Sequence, residues 1–385
     1  MQETIQERSQ TKIKETVLQN SLCTGCGACV HLCPYFAHYR DHTVILNECD
    51  GTQGRCYTYC PRTPTDLAAL QQNGFDPVDL TPELGAIKAL YLTRATNETV
   101  RSAAQHGGTV TTLMHLALAE GLIDTAVLAN QSENLLAESC AIGCSDDLTS
   151  QSKSKFIVAP TVATFNQTAQ GSARAIGVVA TPCQALALAK MRAYSVPQDK
   201  EKMAKLKLVI GLFCGWALSW ERFKSILDQQ FQSRKILKID IPPSKHQCME
   251  VTTDSGTVEI PLAMIETCVR DNCRYCFDMT CEFADLSVGS ARSADGWAVD
   301  KGWNQVIVRT ETGRQLMESA RAKGLLEFKA VPTENLEKLK QASLNKKRNC
   351  LTHLIEKSGN RQQLTYLNAT DPVVRFVLET MGSTR

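Results

Sequence analysis

Cys23-Thr-Gly-Cys26-Gly-Ala-Cys29-Val-His-Leu-Cys33-Pro34 sets four cysteines within eleven residues and closes on proline. This C-x2-C-x2-C-x3-C-P spacing holds paired iron–sulfur cubanes, in which three close thiolates grip one cage and the fourth reaches across to the neighbouring one. A cubane has four iron corners, so a loop of this pitch wraps three of them. Gly25 and Gly27 let the backbone approach the sulfide with no Cβ in the way. Zinc sites instead pair two separated C-x2-C knuckles.

Toward the C-terminus the motif is repeated only in part, as Cys49, Cys56 and then Cys60 followed by Pro61. The crossed logic of the run makes Cys60 the fourth ligand for Cys23, Cys26 and Cys29. Cys33, Cys49 and Cys56 remain. They hold either a second cubane completed by Cys140, Cys144 or a non-cysteine group, or a three-iron cluster. Free cysteine behaves as a small hydrophobe and has no reason to recur at these intervals.

The chain has 385 residues, which suggests two or three domains. A net charge of +2 argues against nucleic acid and anionic membrane as partners. No window approaches the roughly twenty apolar residues of a membrane span, and residues 1–20 lack the apolar centre of a secretory signal. The expected location is cytoplasmic. There, seventeen cysteines at motif spacings read as metal ligands rather than disulfides.

The organisation expected is α/β: a ferredoxin-like iron–sulfur module, then an α/β domain with a smaller mixed section, which the family resemblance described below makes flavin-binding. Residues 1–20 read as a solvated helical lead, 21–75 as the iron–sulfur domain, and 86–235 as the first α/β part. Residues 236–345 form a C-terminal part with inner cluster cysteines, and 346–385 a helical tail. Apolar runs at 89–93, 126–129, 175–180 and 206–211 alternate with helical stretches at 110–119, 184–192 and 218–231, as in a mainly parallel sheet. Beyond Ile236 strict alternation over 236–241, 249–253 and 257–260 reads as a small antiparallel section.

Two places suit a ligand. In His106-Gly107-Gly108-Thr109-Val110-Thr111 two glycines open a helix, whose free N–H groups and dipole favour an anion. The G-x-G-x-x-G dinucleotide fingerprint is absent there. Ala180-Thr181-Pro182-Cys183-Gln184 and Phe213-Cys214-Gly215 each follow a strand, at the edge where α/β folds take ligands. A further group runs Cys268-x4-Cys273-x2-Cys276-x4-Cys281. Two strand-end cysteines plus a C-x2-C pair suggest another cubane. His106, His115 and His246 read as packed or surface residues.

The motifs His-Gly-Gly-Thr-Val at 106–110, Ala-Thr-Pro-Cys-Gln at 180–184, Gly-Leu-Phe-Cys at 211–214, Cys-Arg-Tyr-Cys at 273–276, Ala-Asp-Leu-Ser-Val-Gly at 284–289 and Asp-Gly-Trp at 295–297 occur in one order. With them the chain resembles the beta-subunit family of coenzyme F(420)-reducing hydrogenase and dehydrogenase, from about Ser21 to Leu326. The resemblance implies a flavoprotein that binds FAD beside a 4Fe–4S cubane. By motif, Gly107, Gly108, Thr109, Val110, Thr181, Pro182, Asp295, Gly296 and Trp297 would contact the flavin. Cys183, Cys214, Cys273 and Cys276 would hold the inner cubane, with Cys268 and Cys281 as rivals for two places. Ser290, where the family often has glycine, and a lengthened turn through Trp297 to Trp303 are expected to reshape the second-substrate pocket.

The expected function is hydride transfer between a deazaflavin or NAD(P)H and FAD. Single electrons would then pass through two or three 4Fe–4S clusters to a partner such as a formate dehydrogenase, hydrogenase or heterodisulfide-reductase-like subunit. Two rivals remain: a stand-alone ferredoxin-dependent flavin reductase of an organic substrate, and a passive iron–sulfur subunit without flavin.

Overall fold

Apolar runs separated by helices, from residue 89 onward, come together in one eight-stranded sheet. The structure, a computed structural model, describes residues 10–49, 51, 54–132, 135–143, 145–231, 234–242, 246–291 and 296–382. Its strands are β1 (Phe36–Tyr39), β2 (His42–Ile45), β3 (Leu80–Thr81), β4 (Gly85–Ala86), β5 (Ala89–Ala95), β6 (Thr125–Gln131), β7 (Ala137–Ile142), β8 (Ile176–Ala180), β9 (Leu206–Leu212), β10 (Ile236–Asp240), β11 (Cys248–Thr253), β12 (Gly256–Pro261), β13 (Leu286–Ser290), β14 (Asn304–Val308) and β15 (Leu326–Lys329).

The large sheet runs β15-β5-β14-β13-β9-β8-β6-β7. Its central pairs β13/β9, β9/β8 and β8/β6 are parallel, whereas the remaining pairs are antiparallel. The mainly parallel sheet expected is therefore a mixed one. Helical crossovers connect the central strands, while β7 folds straight back on β6 and β14 on β13, a reversal that short apolar runs do not announce. Strands β13 to β15 all come from beyond residue 236, so the two α/β parts drawn from the sequence share one sheet.

Side-chain alternation sends Val127, Val178 and Val209 to one face and Ala126, Leu128, Val179, Leu208 and Ile210 to the other. Every residue of β8 is buried, as a strand covered on both faces requires. The antiparallel section expected beyond Ile236 is the sheet β10-β11-β12, whose apolar face packs on Phe223, Leu227 and Phe231 of the Trp220–Phe231 helix.

The cysteine-rich N-terminal region shares its core with the sheet. Cys26, Ala28, Leu32, Tyr59, Leu67 and Leu70 sit in the same apolar cluster as Val178 and Val209. Two expectations need correction. The lead is not merely solvated: Ile13 and Val17, in a helical stretch over residues 10–18, are buried against Leu22, Phe36 and Tyr57. Nor does a tail begin at 346, because the Thr333–Ser358 helix runs unbroken across that point.

Candidate iron–sulfur and cofactor site

The thiols fall into three sets, each near the next. In the first, burial and then the neighbouring Cys26, Cys23 and Cys60 push the Cys29 thiol well up, and Cys60 is likewise raised by burial and by Cys23. Cys23, Cys26, Cys29 and Cys60 therefore face one another. The chain supports that crowding with Gly25 at φ +67° and Gly27 at φ +86°, where an added Cβ would lie 2.4 Å from the Asp41 carbonyl oxygen and 2.7 Å from the Ala163 nitrogen respectively.

Cys33, Cys49 and Cys56 make the outermost set. Burial pushes Cys56 up to about 12, with Cys33, Cys60 and Cys49 adding to the rise. The N-terminal helical stretch holds this set in place. Gln10 Oε1 accepts from the Cys49 amide at 2.9 Å, and Gln10 Nε2 donates to the Asn47 carbonyl at 3.0 Å. Cys140 lies elsewhere, packed on the second core and influenced by burial and Lys155 rather than by another cysteine. Cys144 is outside the described residues.

The innermost set is Cys183, Cys214, Cys273 and Cys276. Burial raises Cys183, with Cys276 and Cys273 contributing; burial raises Cys214, with Cys273, Cys183 and Cys276 contributing. Cys183 lies in the first turn of the Pro182–Ala193 helix, Cys214 follows β9, and of the C-x2-C pair Cys273 lies in the short turn Asp271–Tyr275 while Cys276 caps it. The Ala217 amide donates to Cys273 Sγ at 3.3 Å. Lys346 donates to the carbonyls of Gly215 and Cys273, drawing the two loops together.

The rivals are set apart by packing. Cys268 is buried in the third core with Ile265, away from the other thiols. Cys281 stands beside the inner set, but its Sγ lies 3.6 Å from the Ala180 carbonyl. It also fills the space over Gly211, where an added Cβ would come within 2.5 Å of that sulfur. Cys281 thus packs between β8 and β9, while burial and Asp278, with Cys183 and Cys214 contributing, raise its thiol.

Among the described residues no three of His, Cys, Asp and Glu close on a single-ion geometry. All-thiol sets, mostly part-buried, fit a multi-iron cage, which takes its ligands at separate corners and whose positive irons relieve the thiolate repulsion. The sets are linked: Cys183 and Cys60 both bear on Cys26, and Cys60 bears on Cys56.

A cavity of about 890 Å³ opens beside the inner set, with Cys214 in its wall. It covers the C-terminal ends of β6, β8, β9 and β13 and is closed from outside by Asn335, Lys338, Leu339 and Ala342 of the Thr333–Ser358 helix. Gly108, Thr109, Val110 and Thr111 line it at the start of the Thr109–Ala119 helix. Gly108 takes φ +79° there. The Thr109 amide donates to Asn304 Oδ1 at 3.2 Å and Asn304 Nδ2 donates to the Gly289 carbonyl at 3.2 Å, so one side chain pins helix to sheet.

Other flavin-contact expectations land differently. Gly107 is absent from the cavity wall; its carbonyl accepts from the Ala95 amide at 2.7 Å. Thr181 and Pro182 face the cluster side, Thr181 Oγ1 lying 3.4 Å from Cys183 Sγ and Pro182 lining a small void with Cys276. Gly296 and Ser290 line the cavity, and Trp297 begins the short Trp297–Asp300 helix. Asp295 lies outside the described residues. Trp303 faces away, buried between Arg94 and Lys329, whose charged groups lie 4.6 and 4.3 Å from its ring.

Polar groups that sequence reading passed over look into the cavity. Asn335 is 1% exposed and Gln305 2%. Both lie in the wall, and Asn335 Nδ2 and Oδ1 and Gln305 Nε2 have no hydrogen-bond partner among the described residues. Buried amides left without partners are costly. The arrangement suits a ligand rich in ring carbonyls and N–H groups.

Successive thiol sets, the innermost reaching a ligand cavity at the edge of a mixed α/β sheet, define an iron–sulfur oxidoreductase subunit. Family comparison agrees. Residues 90–166 match the N-terminal model and residues 173–334 the C-terminal model of the coenzyme F(420) hydrogenase/dehydrogenase beta subunit, and residues 16–37 match a 4Fe–4S binding domain. The chain belongs to the coenzyme F(420) hydrogenase/dehydrogenase beta-subunit family. Along 89% of its length it is 27% identical to an uncharacterized protein of Methanocaldococcus jannaschii, covering 98% of that protein. It is 29% identical to the coenzyme F(420) hydrogenase subunit beta of Methanothermobacter thermautotrophicus over 64% of this chain and 86% of that one. A chain of the F(420)-reducing NiFe hydrogenase complex from Methanosarcina barkeri shares the fold, with a TM-score of 0.66 at 23% identity, over 76% of this chain and 98% of that chain. No helix among the described residues is long and apolar enough to cross a membrane.

Proposed function

We propose that the cavity holds FAD, that a deazaflavin or nicotinamide coenzyme exchanges a hydride with it, and that electrons leave singly along the three thiol sets to a partner redox subunit. FAD takes up two electrons as hydride and releases them one at a time, while each cubane carries one. The observation that carries this reading is the double position of Cys214, which lines the cavity and also belongs to the inner thiol set.

The protein's part is placement. Asn335 and Gln305 offer amide donors and an acceptor to the polar edge of the ring. The first-turn amides of the Thr109–Ala119 helix, with Lys153 in the same wall, supply positive potential for a diphosphate. Leu128, Val179, Leu212 and Val288 make the apolar part of the wall and keep water from the ring. The names of the relatives support a deazaflavin as the hydride carrier and a hydrogenase- or dehydrogenase-type assembly as the electron partner.

Anaerobic purification followed by flavin extraction and stopped-flow reduction with reduced deazaflavin, NADH and NADPH tests the proposal. The expected result is bound FAD, bleached by one of these donors, with cluster reduction following. Cluster-containing protein without flavin would leave a passive electron-transfer subunit in its place.

A further inference from the structure

Two buried cations cross between the N-terminal cysteine region and the sheet, each toward the other's thiols. Arg62 follows Cys60 and Pro61 in the N-terminal region, yet it lines a small void with Cys183 and Cys276 of the inner set. It is 3% exposed, its guanidinium lies 4.8 Å from the Tyr366 ring centre, and its Nε has no hydrogen-bond partner among the described residues. Lys190 makes the reverse journey. It sits on the Pro182–Ala193 helix that supplies Cys183, is 1% exposed, and places Nζ 2.7 Å from the Cys60 carbonyl, 3.0 Å from Thr63 Oγ1 and 3.1 Å from Thr65 Oγ1.

A fixed charge in a poorly polarisable interior acts strongly on its neighbours, and the potential of an iron–sulfur cluster depends on net charge and hydrogen bonding around its sulfurs. Reduction adds a negative charge to a cage already ringed by four thiolates. A buried cation beside it favours the reduced state.

We propose that Arg62 and Lys190 are exchanged potential-setting residues: Arg62 raises the reduction potential of the inner cluster and Lys190 that of the Cys23/Cys26/Cys29/Cys60 cluster. The proposal rests on the cluster reading above. Both are positioning residues that act through the clusters. The orphaned Arg62 Nε is the donor left for a cluster sulfur, which the protein itself does not provide. The Arg62 charge also bears on Cys60, more weakly than the Lys190 charge does, so losing that charge has a smaller effect on that second cluster.

The test is an EPR-monitored redox titration of the full chain, purified anaerobically with its clusters, with iron and acid-labile sulfide measured on every sample. Cys214→Ser and Cys26→Ser assign the signals. Arg62→Gln is expected to lower the inner midpoint more than the other, Lys190→Gln to lower only the Cys26-containing cluster, and Arg62→Lys and Lys190→Arg to return each toward wild type. Intact clusters with unchanged midpoints overturn the proposal, as do equal shifts at both clusters in every variant. If the neutral variants shed their clusters, the charge-keeping ones decide: retention with wild-type midpoints supports it, and loss there too shows that packing rather than charge is at work. A wild-type chain without iron and sulfide would sink the underlying cluster reading instead.

Discussion

The guanidinium of Arg270 donates to the carbonyl oxygen of Cys23 at 3.1 Å. A second nitrogen of the same group donates to the Thr24 carbonyl at 3.2 Å. A residue three places before Cys273 thereby clamps the first turn of the N-terminal cysteine loop, and Asn166 adds bonds to the carbonyls of Ala28 and Val30 at 3.1 and 2.9 Å. Arg270→Ala strands the buried Thr24 carbonyl at about 1–3 kcal/mol and the part-buried Cys23 carbonyl at less. We expect a lower thermal midpoint and faster limited proteolysis within residues 21–65, read against wild type by mass spectrometry of the fragments.

The cysteines divide by role. Cys268→Ala is expected to keep the full iron and sulfide content of wild type, because that thiol packs in the third core. Cys276→Ala should lose roughly one cubane, about four irons per chain. Iron analysis of the two anaerobic preparations decides it, and equal losses would contradict the assignment.

Asn335→Leu and Gln305→Leu remove the partnerless amides from the cavity wall. Each should weaken FAD binding about tenfold or more, the equivalent of one lost hydrogen bond of about 1.4 kcal/mol. Flavin fluorescence titration of deflavinated protein measures it; unchanged affinity in both variants would remove the cavity from the flavin assignment.

Gly107→Ala tests the pin between helix and sheet. The new Cβ would fall 2.8 Å from both Asn304 Oδ1 and the Thr93 carbonyl. The crowding should cost about 1–3 kcal/mol, with flavin retention falling alongside the melting temperature. A variant as stable and as yellow as wild type would show that Asn304 has room to yield.

Acid should loosen the β1–β2 hairpin through His38. Burial lowers its pKa from 6.5 to about 4; Arg270 pushes the same way, while the bond to the Arg40 carbonyl and the Asp41 charge oppose. A depressed folded-state value means that the native state binds fewer protons than the unfolded one. Its stabilising contribution is therefore whole above about pH 6.5 and is lost as pH falls through 4. Thermal midpoints taken across that window should fall more steeply for wild type than for His38→Gln, a difference that removes the acid lability of the clusters common to both.

Local geometry carries the signals legible in the sequence. A C-x2-C-x2-C pitch can surround one cage and little else, Gly-Gly before an apolar helical period opens a helix start, and the runs at 176–180 and 206–212 are strands wherever they pair. Thr181 and Pro182 lie on the thiol side rather than in the large cavity's wall. Their position after a strand is correct, but a strand-end turn can face either the cavity or the thiols, and Gln184 settles it by accepting from the Thr181 amide at 2.8 Å as the helix begins.

Nothing in the spacing of cysteines separates Cys268 and Cys281 from Cys273 and Cys276. The distinction comes from which apolar neighbours arrive from β8, β9 and the third core. Likewise Arg62 and Lys190 look like ordinary charges, one in a turn and one on a helix, until two regions more than a hundred residues apart are pressed together. Residue order along the chain governs pitch, period and turn, and with them the iron–sulfur chemistry. Which thiols meet, which face of a turn a ligand sees, and which cation lies beside which cluster depend on long-range packing, because burial and electrostatic strength are properties of the assembled interior.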